Sequence, residues 1–140
     1  ATAGCPRNCS EAYVKDIGAV AIGEDKWEIY IGGAAGGTVR KGDLLCTAQG
    51  HEETVKVIGR FMQYYREHAK YLERTYGFVE RVGIDVLKGI LIEDSLGIRA
   101  RLDAKIQEAV DAYRDPWREA QEPAYEHQFA GPKRISLNEG

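Results

Sequence analysis

The segment Ile17-Gly18-Ala19-Val20-Ala21-Ile22-Gly23-Glu24-Asp25-Lys26-Trp27-Glu28-Ile29-Tyr30-Ile31 sets the fold class of this chain. Its first six residues are short and partly β-branched, and its last five alternate large apolar and polar side chains imperfectly. Gly23 to Lys26 is a turn signal between them. The stretch therefore reads as an antiparallel β-hairpin closed by a loop of about four residues. Downstream, the glycine cluster Gly32-Gly33-Ala34-Ala35-Gly36-Gly37 ends the second strand. Lys41-Gly42-Asp43 marks another turn, and Leu44-Leu45-Cys46 offers a short third strand.

From His51 to Tyr76 the period changes. Val55, Ile58, Met62, Tyr65, Ala69, Leu72 and Tyr76 recur at helical steps, an apolar stripe that predicts one long amphipathic helix. Glu52 and Glu53 fall in its first turn, where the helix dipole favours acids. Gly77 is a natural stop. Lys56, Arg60, Glu67, Lys70 and Arg74 read as its solvated face. Ile84 to Ile92 is apolar and short, and periodicity leaves helix and strand both open. Asp94 or Ser95 can cap a second long helix with the stripe Leu102, Ile106, Ala109, Val110 and Tyr113, which Pro116 should end. The expected fold is α+β: an antiparallel hairpin or small sheet packed against two long helices over residues 1–118, followed by an extended tail at 119–140.

Composition narrows the function classes. The 140 residues suffice for one domain with a modest core. A net charge of −3 gives no basic field for nucleic acid. No run of about 18 apolar residues offers a membrane span. The opening residues resemble no signal peptide. With no initiating Met and a cysteine already at position 5, the chain is expected to be a piece of a longer parent. Cys5, Cys9 and Cys46 are an odd set that makes no disulfide framework, so a reducing, cytoplasmic setting is the expectation.

The stretch Gly4-Cys5-Pro6-Arg7-Asn8-Cys9-Ser10-Glu11-Ala12 is chemically the richest. If Cys5 and Cys9 lie on one helical turn, their thiols share a face. Spacing alone leaves three readings: an incidental or structural pair, half of an iron–sulfur site, and a zinc pair. Iron–sulfur clusters take thiolates, usually four. Zinc takes four N or S ligands, and no second pair accompanies this one: Cys46 is alone, and His51, His68 and His127 do not form a ligand spacing.

The residues between the cysteines add a resemblance. Gly-Cys-Pro-x-x-Cys, as it stands at Gly4–Cys9, resembles the second half of the signature of the sulfite and nitrite reductase family, C-x5-C followed after a long gap by C-x3-C. The hairpin with Gly32-Gly33 after it is similar to that family's strand pair. The helix carrying Tyr65-Arg66-Glu67 and Tyr71-Leu72-Glu73-Arg74, the stretch Phe78 to Asp85, and Asp115-Pro116-Trp117 resemble its NAD(P)H-dependent nitrite-reducing branch. The resemblance covers most of residues 4–118, which it makes the C-terminal portion of a sirohaem and 4Fe-4S domain.

It implies that Cys5 and Cys9 are the third and fourth cluster ligands, Cys9 also bridging to the sirohaem iron. It implies a parent that reduces nitrite to ammonium with six electrons from NAD(P)H, through FAD on upstream domains, in nitrate assimilation. The partners would be the rest of the same polypeptide and a small nitrite reductase subunit. The first cysteine pair of the family pattern is absent from these residues, so the chain alone is expected to be inactive. Two alternatives stand beside this reading: a sulfite reductase of the same family, and a non-redox binding module with a zinc-binding cysteine pair.

Other candidates read as structural. Gly32 to Thr38 lacks the Lys of a phosphate-binding loop and contains no G-x-G-x-x-G, so it is a glycine-rich bend, with close packing against the macrocycle as the functional alternative. Cys46 reads as a small buried hydrophobe. Tyr64, Tyr65, Tyr71 and Tyr76 read as packing residues, and the three histidines as surface or helix-end groups.

Overall fold

A computed structural model describes residues 1–121. Its strands are Thr2–Ala3 (β1), Ile17–Gly23 (β2), Lys26–Ile31 (β3), Ala34–Ala35 (β4), Val39–Arg40 (β5) and Asp43–Gln49 (β6). The α+β class holds. β2 and β3 form the expected hairpin, with Ile17 opposite Ile31 and Val20 opposite Glu28. Its loop is tighter than expected: Glu24 and Asp25 alone close it, Asp25 in the left-handed region at φ 54°. β6 is longer than the anticipated third strand and pairs antiparallel with β3. β1 pairs parallel with β2, which makes a mixed sheet in the order β1-β2-β3-β6. The glycine cluster does more than end β3, because β4 and β5 form a separate two-stranded hairpin across Gly36 and Gly37.

The alternation of β3 sorts the sheet into two faces. Ile29 and Ile31 are fully buried on the helical side, in one core with Leu45, Val57, Phe61, Phe78, Leu87 and Leu102. Tyr30 belongs to a second, smaller cluster with Ala3, Ala12 and Val20, against which Tyr13 packs. Ala12 and Tyr13, from the stretch that precedes β2, therefore lie on the sheet face opposite the main core.

The expected 51–76 helix is two helices. Gly50–His68 (α1) ends at His68, and Thr75–Val82 (α2) follows, with Gly77 inside it rather than stopping its predecessor. Ala69 leaves the helix in extended conformation and Leu72 is left-handed at φ 59°. Polar bonds invisible to apolar periodicity hold this break. The Lys70 N–H donates to Glu73 Oε2 at 2.9 Å, and Arg81 donates to both Glu73 carboxylate oxygens at 2.7 Å.

The inward stripe of α1 is also rotated from the expected one. Val55 and Met62 are exposed, while Thr54, Val57, Phe61 and Tyr64 are buried. Arg60, expected on the solvated face, is only 6% exposed. Its guanidinium forks onto Asp103 at 2.6 and 2.9 Å and reaches Glu53 at 3.2 Å. Asp103 belongs to Arg99–Asp111 (α4), which passes so close to α1 that a Cβ on Gly59 would stand 3.4 Å from Ile106.

The ambiguous apolar run is a helix, Ile84–Leu91 (α3). Neither Asp94 nor Ser95 is the N-cap of the next helix, which begins only at Arg99, although Asp94 Oδ1 reaches forward to accept the Arg99 N–H at 2.9 Å. Leu102 is fully buried, whereas Val110 and Tyr113 of the expected stripe are exposed. Pro116 does not stop α4, which ends at Asp111. It opens Pro116–Gln121 (α5) instead, a first-turn position where its missing N–H costs nothing. Residues 122–140, with His127 and most of the anticipated tail, lie outside the described residues. Ala1–Glu108 is one compact unit with both sheets and all three cysteines, and a second unit begins at Ala109. Among the described residues no helix is long and apolar enough to cross a membrane.

The α1–α2 break should be acid-sensitive. The Arg81 hydrogen bonds, then the Lys70 N–H, hold the Glu73 carboxyl at about 2, below its ordinary 4.5. A depressed carboxyl stabilises the fold above the ordinary value and loses that contribution as pH falls toward 2. Glu67 is likewise held at about 2, by Gln63 first and by Arg101 and Lys105. Glu73→Gln is therefore expected to lower Tm at neutral pH and to reduce, without removing, the loss of Tm between pH 4.5 and 2. Thermal unfolding across that range measures it, and an unchanged acid limb would count against the clamp.

Candidate functional site

Residues 1–16 form an arm laid on the sheet. The Ala1 nitrogen donates to the Ile17 carbonyl at 2.8 Å, and β1 adds its short parallel ladder to β2. The Ser10 hydroxyl donates to the Thr2 carbonyl at 2.6 Å, which folds the intervening residues into a loop. Within that loop the Asn8 N–H closes a turn onto the Cys5 carbonyl at 3.1 Å, and the Glu11 N–H closes the next onto the Asn8 carbonyl at 2.9 Å. Pro6 takes the second position of the first turn, where its fixed φ fits. Asn8, at φ 55°, joins the two turns. Cys5 and Cys9 are thus carried on consecutive tight turns and not on the helical turn considered from spacing. Both are exposed and free.

Glycines let this arm approach the sheet backbone. A Cβ on Gly18 would stand 2.0 Å from the Ala12 carbonyl oxygen, and one on Gly33 would stand 2.5 Å from that of Lys15. The Gly42 N–H donates to the Tyr13 carbonyl at 2.7 Å. The Tyr13 and Tyr30 rings meet edge to face at 4.7 Å, with Lys41 Nζ 4.7 and 5.2 Å from their centres. A short 3₁₀ turn, Ala12–Val14, is fixed between these contacts. Sequence reading missed β1, Asn8 and these close approaches. Only the left-handed tolerance of Asn and Gly hinted at them.

As donors, Cys5 and Cys9 fit part of a metal site. They are thiols on one exposed loop, and among the described residues no group of three or more His, Cys, Asp and Glu gathers to hold an ion. They therefore match half of a four-thiolate set and do not complete a site here. Cys46 stands apart on β6, opposite Ile29 and half-buried against the main core. Burial pushes its thiol up to about 11, with Glu53 adding to the shift and Arg60 opposing it. It stays protonated, as a small hydrophobe would.

The β4–β5 hairpin borders a cavity of about 510 Å³ lined by Val14, Lys15, Asp16, Arg74 and Tyr76 together with residues 33–38. Arg40 holds this hairpin in place, donating to the Gly32 carbonyl at 2.7 Å, to Asp43 at 2.7 Å and to Glu80 at 3.0 Å. Burial works against ionisation of Asp16, yet hydrogen bonds from Thr75 and Arg74 prevail and lower its carboxyl. His51 is exposed and His68 stacks on Tyr64 at 4.1 Å, so neither joins the cysteines. Tyr64 and Tyr65 pack on Phe78. Tyr71 does not pack and is 93% exposed.

The family described as "Nitrite and sulphite reductase 4Fe-4S domain" matches residues 1–99. The chain is 40% identical over 119 residues to the nitrite reductase [NAD(P)H] of Bacillus subtilis, covering 85% of this chain and 14% of that protein. It is 41% identical over 112 residues to the nitrite reductase (NADH) large subunit of Escherichia coli, covering 76% of this chain and 13% of that one. An assimilatory-type sulfite reductase of Nitratidesulfovibrio vulgaris matches over 85 residues at 35%, covering 61% of this chain and 38% of that protein. The chain thus spans a small part of the nitrite reductases it matches. It belongs to the nitrite and sulphite reductase 4Fe-4S domain family.

Proposed function

We propose that this chain is the part of an NAD(P)H-dependent nitrite reductase that supplies Cys5 and Cys9 as two of four thiolates of a 4Fe-4S cluster coupled to sirohaem. The observation that carries the reading is a loop with two exposed free thiols, pinned to a sheet, in a chain of this family. When bound, the cofactor pair supplies one-electron carriage and an iron that takes the substrate anion. The chain's own part is to place two thiolates by rigid backbone contact and to back them with the sheet and the helical core.

The balance of the reaction defines what the rest of the enzyme supplies. Nitrogen passes from +3 in nitrite to −3 in ammonium, so six electrons and eight protons enter and two waters leave. The electrons come from NAD(P)H through FAD, on parts of the enzyme outside these residues. The chain alone offers two thiolates, so activity belongs to the enzyme that contains it. The Escherichia coli relative is named a large subunit, which supports a small subunit as a partner.

Nitrite is favoured over sulfite because similarity to the nitrite reductases extends over 119 and 112 residues, and to the sulfite reductase over 85. The test is steady-state kinetics of the purified holoenzyme with each anion. A kcat/KM for nitrite at least about tenfold that for sulfite, or some 1.4 kcal/mol of transition-state discrimination, is expected. A preference for sulfite would replace the reading with its family alternative.

A further inference from the structure

We infer that Asn8 is a positioning residue of the thiol pair. Its left-handed backbone sets the direction of Cys9 relative to Cys5, and its carboxamide serves the assembled metal site rather than the stability of this chain. The inference rests on the reading of Cys5 and Cys9 as ligands and adds a residue to it.

Two observations carry it. The first is conformational. Asn8 ends the turn that begins at Cys5 and begins the turn that ends at Glu11, with φ 55° at the junction. Glycine and asparagine adopt this conformation readily, and β-branched residues do so only under strain. The chain path from one thiol to the other therefore depends on this residue's φ. The second is a bonding deficit. Asn8 Oδ1 is buried without a hydrogen-bond partner, alone in this among the side-chain oxygens and nitrogens of the described residues. A buried acceptor with no donor destabilises a fold. Glycine would provide the same backbone without that cost, so the carboxamide does not serve the isolated chain. It is placed within one residue of Cys9, where a donor brought by the assembled site would satisfy it.

The first arm of the test uses this chain, reduced, with phenylarsine oxide as the probe. The As=O oxygen leaves as water as two S–H bonds are replaced by two As–S bonds, and arsenic stays trivalent. Mass spectrometry should find one bridging adduct on Cys5 and Cys9, with half-buried Cys46 unmodified. Asn8→Gly is expected to hold the arsenical within about threefold of the wild-type affinity, with Tm equal or higher. Asn8→Val is expected to weaken it by about tenfold, the factor that left-handed strain implies, with the near-ultraviolet signal of the core unchanged. Wild-type affinity in Asn8→Val, or a lower Tm in Asn8→Gly, overturns the inference.

The second arm uses the holoenzyme, where Asn8→Gly should keep its iron and acid-labile sulfide yet shift the electron paramagnetic resonance of the reduced cluster. An unshifted spectrum overturns the role of the carboxamide. Failure of the ligand reading itself is distinct, because it would show as an intact cluster in Cys9→Ser.

Discussion

Replacing Cys9 by serine in the holoenzyme is expected to abolish the coupled haem–cluster absorbance together with nitrite reduction. Iron–sulfur clusters are held by thiolates, and a serine hydroxyl ionises far less readily than a thiol. The loop that carries Cys9 offers no second thiol in its place: of the flanking side-chain oxygens, Ser10 Oγ donates to the Thr2 carbonyl and Asn8 Oδ1 is a neutral amide oxygen. Cys5→Ser should likewise lose the cluster. Cys46→Ser is the control. It sits on β6 opposite Ile29, with a thiol pushed up to about 11 by burial, and should change stability but neither iron nor acid-labile sulfide content. Absorbance spectra with iron and sulfide analysis decide the matter, and wild-type spectra in Cys9→Ser would sink the proposed role.

The difference between the two cysteine classes also shows what the sequence could and could not say. Residue type drew attention to Cys5 and Cys9, with a family resemblance rather than spacing pointing to ligands, and a strand context predicted a buried Cys46, which is half-buried; thiol chemistry and local burial are written locally. The β2–β3 hairpin was legible for the same reason: turn residues act within a few positions. Arg60 was misplaced because its burial comes from α4, 43 residues away through Asp103, and no feature of α1 announces that neighbour. The break after His68 was hidden because Glu73 and Arg81 overrule an apolar period that runs on through Leu72 and Tyr76. β1 was unreadable, since two residues, Thr2 and Ala3, carry no period at all. The contact that seats the cysteine loop was likewise invisible, because it is made by the absence of a side chain at Gly18 and Gly33.

That absence yields the second large effect. Gly18→Ala is expected to destabilise the chain by about 3 kcal/mol, the upper end of the usual cost of overpacking. The added Cβ would stand 2.0 Å from the Ala12 carbonyl oxygen and 2.7 Å from its carbon, and both are backbone atoms that cannot rotate aside. Lifting the 3₁₀ turn is then the remaining relief. It would strain the packing of Tyr13 on Tyr30 and the Gly42 N–H bond to the Tyr13 carbonyl. In a domain of this size the loss corresponds to a fall in Tm of roughly 10 °C. Gly23→Ala, at the far end of the same strand, meets nothing within 4 Å and is expected to change stability by less than about 0.5 kcal/mol. The pair separates a glycine needed for close approach from one that is not, and equal Tm values in the two variants would mean that the arm is not seated as described. The same contact reaches the chemistry. If the arm positions Cys5 and Cys9, Gly18→Ala in the holoenzyme should lower iron and sulfide content although no ligand has been touched, while Gly23→Ala keeps both.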